Sequence, residues 1–200
     1  ADVSTLNERW NEQKKRSGMT WVDVIGLKDL SVLTKVADAF HLPALAMEDV
    51  TSTHQRSKVD EYNSVTYVVV RLPWEEDDEI RYEQVSLFIG NSFVVSFQET
   101  QPDVFEEVRG RLRRSGTKVR RLGADFFGYA LMDCVVDHYM PIMNKIEDRI
   151  DTLEDDVFAQ TAGDVMPQLL LTRRTLAYLR RAAKPLQGSL TTLLDAETSI

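Results

Sequence analysis

Between Val65 and Leu72 the chain is almost entirely β-branched, aromatic or aliphatic, broken only by Arg71. That density predicts a buried strand, which Pro73 is expected to end. Trp21 to Gly26 predicts a shorter strand closed by its glycine. Gln84 to Ile89 and Ser92 to Gln98 predict a hairpin, with Gly90-Asn91 supplying the positive φ of its turn. The polar run Glu75 to Glu79 predicts an exposed turn before that hairpin. Elsewhere the spacing is helical. Leu30, Leu33, Val36, Ala37 and Phe40 share one face behind Asp29, a capping residue. Pro43 opens a further helix carrying Leu45, Met47 and Val50. Another helix is expected from about Pro102 to Arg114, ending near Gly116.

The second half is helical throughout. Leu131, Val135, Tyr139, Ile142, Ile146, Ile150, Leu153 and Val157 recur every three or four residues. This predicts one very long helix, bent by Pro141. A break is expected at Ala159 to Gly163, after which Asp164 caps a second helix with Pro167 in its first turn. Leu176, Leu179, Ala183, Leu186, Leu190 and Leu193 mark the stripe of that helix. Two long helices with a short connection predict an antiparallel hairpin. The reading is α/β, with an α/β domain over residues 1–122 and a helical hairpin over residues 123–200 in the same unit. No glycine or proline punctuates the approach to Ile200, so the last helix is expected to continue in a longer protein.

The 200 residues, 43% of them hydrophobic, suffice for one good core. The longest apolar run, Tyr67 to Val70, is strand-sized and far below the roughly 20 residues of a membrane span. The chain is therefore expected to be soluble. A net charge of -8 argues against nucleic-acid binding and is compatible with attracting cations. The single cysteine, Cys134, forms no internal disulfide, which suits a reducing compartment. It stands among Leu131, Val135 and Val136, the setting of a small packed hydrophobe rather than a nucleophile. The sequence has no glycine-rich phosphate loop, GxSxG elbow or HExxH, and His41, His54 and His138 are scattered. No enzyme is expected.

Charge is segregated along the chain. Arg109 to Arg121 holds seven basic residues and no acidic one. Glu147 to Asp156 holds six acidic residues against Arg149, and Arg173 to Lys184 holds five basic residues and no acidic one. In an antiparallel hairpin such stretches are placed to meet within the hairpin or between copies. Hard cations such as Mg2+ prefer oxygen ligands and keep several waters, so one or two carboxylates per chain suffice when a partner brings more. Glu75 to Glu79 and Glu154-Asp155-Asp156 are the candidates. From spacing alone, solvation of a turn and of a helix end is the favoured reading.

Several segments, taken in order, resemble the CorA family of magnesium and cobalt transporters. Met47-Glu48-Asp49-Val50 and Thr53-His54-Gln55-Arg56-Ser57-Lys58-Val59 are similar to a family segment in which proline stands in place of Ser57. Glu83 to Leu87 and Phe93 to Glu99 resemble its hairpin, and Asp125 to Phe158 its long helix. Arg173-Arg174 and Lys184-Pro185-Leu186 fit its next helix. The resemblance spans Trp21 to Leu194. It implies a cytosolic α/β domain, with a mixed central sheet flanked by helices, and a helical hairpin leading towards a stalk and two membrane helices. It implies a homopentamer of the full-length protein at the cytoplasmic face of the cell membrane. The membrane would be reached only through helices that this chain lacks, so the fragment itself is expected to be monomeric or weakly associated.

The resemblance also implies regulatory divalent cations between neighbouring copies, Mg2+ first, with Co2+ or Zn2+ as alternatives, holding a pore closed. The matching acidic turn is Glu76-Asp77-Asp78, shorter than in familiar members of the family. Glu154 and Asp155 are the second candidate pair of metal ligands. The expected function is thus the cytosolic regulatory domain of a CorA-type divalent-cation transporter. The alternatives are the matching domain of a related zinc transporter and a soluble scaffold that docks a partner protein through its hairpin.

Overall fold

The computed structural model describes residues 5–14, 18–76, 79–100, 104–114, 116, 118–158 and 165–197. In chain order the elements are α1 (Leu6–Lys14), β1 (Thr20–Ile25), α2 (Leu30–Phe40), α3 (Ala44–Thr51), β2 (Lys58–Tyr62), β3 (Val65–Glu76), β4 (Glu79–Gly90) and β5 (Phe93–Gln98). There follow α4 (Glu106–Arg113), α5 (Lys118–Arg121), α6 (Gly123–Asp137), α7 (Tyr139–Phe158) and α8 (Val165–Glu197). The strands form one five-stranded mixed sheet in the order β1-β5-β4-β3-β2. Only the β1–β5 pair is parallel.

Alternation along the strands sends side chains to two cores. Val65, Tyr67 and Val69 of β3, with Phe88, Val95 and Phe97, meet Trp10 of α1, Val36 and Phe40 of α2, and Ala46 and Val50 of α3. Val68, Val70 and Leu72 of the same strand, with Val85 and Leu87, meet Phe105, Phe127 and the apolar stripes of α6, α7 and α8. The sheet is therefore covered on both faces, and the late helices share their core with it.

Local chemistry fixes the early elements as expected. Asp29 Oδ1 accepts from the Ser31 and Val32 amides at 3.0 and 3.4 Å and caps α2. Gly26 leaves β1 with φ +93°, a conformation that favours glycine. Leu30 and Leu45, expected among the apolar positions of α2 and α3, are instead 64% and 71% exposed.

Pro73 does not end its strand. β3 runs on to Glu76, with Pro73 opposite Tyr82. β2 pairs with β3 only as far as Val69, so at Pro73 one side of β3 has no strand neighbour and the missing N–H costs no ladder bond there. β3 and β4 consequently take in Glu75, Glu76 and Glu79 of the acidic run, with Glu76 in register with Glu79. The β4–β5 turn falls on Asn91-Ser92, with Gly90 opposite Phe93, and neither Gly90 nor Asn91 has a positive φ. Gly90 is needed for space instead, because a Cβ there would lie 2.4 Å from the Phe93 ring.

Near Pro141 the hydrogen bonding of the long helix is broken, while His138 between its two segments keeps right-handed helical dihedrals (φ -70°, ψ -14°). α6 stops at Asp137, His138 is its C-cap, and α7 restarts at Tyr139. Pro141 has no N–H to offer the carbonyl of Asp137, and its ring crowds that carbonyl. α4 begins at Glu106, while Pro102 lies outside the described residues. So do Ala159 to Asp164, where the break and the Asp164 cap were expected. In α8 the buried stripe is Thr172, Thr175, Leu179, Ala182 and Leu186, whereas Leu176 is 45% exposed and Ala183 faces outward. A buried threonine is tolerated here because Thr172 Oγ1 donates to the Gln168 carbonyl at 2.9 Å. The side chains of Leu190 and Leu193 lie outside those described.

Candidate functional site

The acidic turn is held from two sides. Arg81 Nε donates to Glu76 Oε2 at 3.0 Å, an exposed ion pair on the strand ends. One residue earlier, Glu75 pairs with Lys145 of α7. Ile80, Ile142, Ile146 and Arg149 close the small notch around that pair. The paired ends of β3 and β4 are thus tied to α7 by charge and by apolar contact. Asp77 and Asp78 lie outside the described residues. Glu154 and Asp155 are exposed near the end of α7, beside the buried Leu153. Among the described residues, no three His, Cys, Asp or Glu side chains gather into a metal-holding group. The carboxylates are the hard oxygen donors that Mg2+ prefers, but the described residues of one chain do not bring enough of them together.

Two polar networks, one on each face of the sheet, were missed by the sequence reading. On the face covered by α4 and α6, Asp23 Oδ1 accepts from Ser96 Oγ at 2.6 Å and from Gln98 Nε2 at 2.9 Å. Its Oδ2 pairs with Arg109 Nη1 at 2.7 Å, and the guanidinium lies over the Trp21 ring. On the other face Gln84 Nε2 donates to the Asp49 carbonyl at 2.8 Å, and Gln84 Oε1 accepts from the Gln55 amide at 3.1 Å. Arg71 donates to the carbonyls of Thr53 and Tyr82 at 2.7 and 3.2 Å, and Tyr139 Oη donates to the Arg71 carbonyl at 2.6 Å. The segments around Asp49 and Gln84, distant in sequence, are therefore knitted together through side chains on backbone groups. The sequence signal for these networks was the set of polar residues inside apolar strands: Asp23, Glu83, Gln84, Ser86, Ser96 and Gln98.

Burial sets the titration of several of these groups. Glu83 is buried, and desolvation raises its carboxyl above the usual range. Thr100 Oγ1 donates to its Oε2 at 2.6 Å, while Oε1 has no hydrogen-bond partner among the described residues. Burial lifts the Cys134 thiol to about 11, so it is protonated near neutral pH and packs as an apolar group, as its neighbours in sequence suggested. Burial alone would lower Lys58, but hydrogen bonds to Asp49 and Asp60 outweigh it and hold the ammonium charged. The basic run from Arg109 is similarly engaged: Arg109 turns inward to Asp23, while Arg111 and Arg113 pair with Glu107 and Glu106.

Residues 16–199 match the family model of the CorA-like Mg2+ transporter protein. The chain is 32% identical over 176 residues to the cobalt/magnesium transport protein CorA of Thermotoga maritima, covering 87% of this chain and 50% of that protein. It is 33% identical over 177 residues to the putative metal ion transporter YfjQ of Bacillus subtilis, covering 88% and 54%. The chain thus spans about half the length of these curated relatives. In fold it is similar to the soluble domain of CorA from Methanocaldococcus jannaschii, with a TM-score of 0.72 at 19% identity over 86% of this chain and 68% of that one. The ZntB cytoplasmic domain from Vibrio parahaemolyticus gives 0.63 at 12% identity, over 88% and 69%, a likeness of fold alone.

Proposed function

The chain belongs to the CorA-like Mg2+ transporter family, and from that premise we propose that it is the membrane-external, ion-responsive part of a divalent-cation transporter. The observation that carries this reading is the family match over residues 16–199. Among the described residues no helix is long and apolar enough to cross a membrane, so in this reading the conducting path is formed by other segments. The domain sits at the cytoplasmic face of the membrane and assembles as a homopentamer. It does no covalent chemistry.

The regulatory step follows from elementary electrostatics. Acidic turns at Glu76-Asp77-Asp78, brought near carboxylates of adjacent copies, repel one another. A divalent cation that bridges them favours the assembly with the pore closed, and its loss releases that assembly. The ion acts by binding one state better than the other, which shifts the population. Sharing ligands between copies also suits a chain whose described residues form no metal cluster alone. The attachment of the turn to α7 through Glu75 and Lys145 gives a path by which a displaced turn moves the hairpin.

Ion uptake by cells lacking their own magnesium transporters tests the reading. The full-length protein is expected to restore growth at limiting Mg2+ and to carry Co2+ as well. Uptake of Zn2+ without Mg2+ would move the protein to zinc transport, and uptake of neither ion would leave the docking scaffold.

A further inference from the structure

We propose that the outward faces of α7 and α8 form a docking surface for a second copy of this chain, with the acidic stripe of one copy lying on the basic stripe of the other. Both helices turn their buried stripes towards the same sheet face, through Ile142 and Ile146 on α7 and Leu179, Ala182 and Leu186 on α8. On the outward side of α7, Glu147, Asp151, Glu154 and Asp155 are exposed at helical spacing. On the outward side of α8, Arg173, Arg180, Arg181 and Lys184 are exposed in the same way. At the helical rise of 1.5 Å per residue the acidic stripe is about 12 Å long and the basic one about 16 Å. Among the described residues no ion pair joins the two stripes.

Charge complementarity selects the occupant. Nucleic acid or an anionic lipid surface would be repelled by the acidic stripe, and a purely acidic or purely basic protein would satisfy only one of the two. A second copy brings both signs in equal number. Beside the stripes, where α7 ends and α8 begins, Val157, Phe158 and Met166 are 58%, 85% and 60% exposed. They supply apolar area at the end of the charged stripes for a protein contact to bury.

This deepens the self-assembly proposed above and takes from that reading only the identity of the partner. Its test uses the 200-residue chain without divalent ions, so its failure leaves the metal reading standing. Sedimentation equilibrium at low salt is expected to show self-association that weakens at least about tenfold at 1 M salt, where the screening length is about 3 Å. Asp151→Lys with Asp155→Lys, and separately Arg180→Glu with Arg181→Glu, are each expected to abolish it. An equimolar mixture of the two variants restores association, because each then offers the stripe that the other has lost. Should either pair unfold by circular dichroism, Glu147→Lys with Glu154→Lys and Arg173→Glu with Lys184→Glu replace them. A monomeric parent at low salt, variants that associate alone as tightly as the parent, or a mixture that stays monomeric would each overturn the proposal.

Discussion

Arg109 of α4 and Asp23 of β1 stand 86 positions apart in sequence and meet at 2.7 Å, the guanidinium donating to a carboxylate that also accepts from Ser96 and Gln98. Their side chains are 21% and 10% exposed, so solvent screens the pair only weakly. Removing one partner leaves the other charge largely buried and uncompensated. Arg109→Met is expected to cost about 2–3 kcal/mol, reduced from the roughly 3–5 kcal/mol of a fully buried pair. Urea denaturation of the single and double variants measures it, and Asp23→Asn with Arg109→Met should cost less than the two single changes added together.

Gly128 of α6 packs against β4 so closely that an added Cβ would lie 2.4 Å from Ile89 Cδ1. Alanine gains roughly 0.5–1 kcal/mol over glycine within a helix. Overpacking costs about 1–3 kcal/mol, so the contact decides the sign. Gly128→Ala should therefore destabilise the fold by about 1–2 kcal/mol. Adding Ile89→Ala should recover part of that loss, a non-additivity that a double-mutant cycle in urea would register.

The buried Glu83 makes stability depend on pH. Desolvation raises its folded value above the ordinary 4.5, so the folded chain holds this proton more tightly than the unfolded chain. Its contribution is fully present below about 4.5 and is lost as pH rises through the folded value. Glu83→Gln keeps an oxygen to accept from Thr100 and carries no charge. The melting temperature of the variant should exceed that of the parent at pH 8 and approach it at pH 4, and an equal gain at both values would remove the carboxylate as the cause.

Much of this architecture is written in local pattern. Val65 to Leu72, the Asp29 cap and the apolar recurrence through α7 each follow from neighbours a few residues away, and all three elements formed. The misreadings came from tertiary context. Pro73 continues its strand because β2 stops short of it, a fact about a partner strand that β3 alone does not encode. Thr172 and Thr175 took buried positions on the stripe where leucines were expected, and the Thr172 hydroxyl meets its hydrogen bond within the helix. The candidate carboxylates were legible as an acidic run, and the hold of Arg81 and Lys145 on that run was not. The Asp23–Arg109 and Gln84–Asp49 links join residues too distant in sequence for spacing to relate them.

Magnesium flux through the full-length protein in sealed vesicles, recorded as Mg2+ on the domain side is raised, tests the account most directly. In the parent, flux should fall as that concentration rises, and with Asp77→Asn and Asp78→Asn together it should persist at concentrations that close the parent. Flux from the doubly substituted protein that shuts off at the same Mg2+ concentration as the parent would contradict the account.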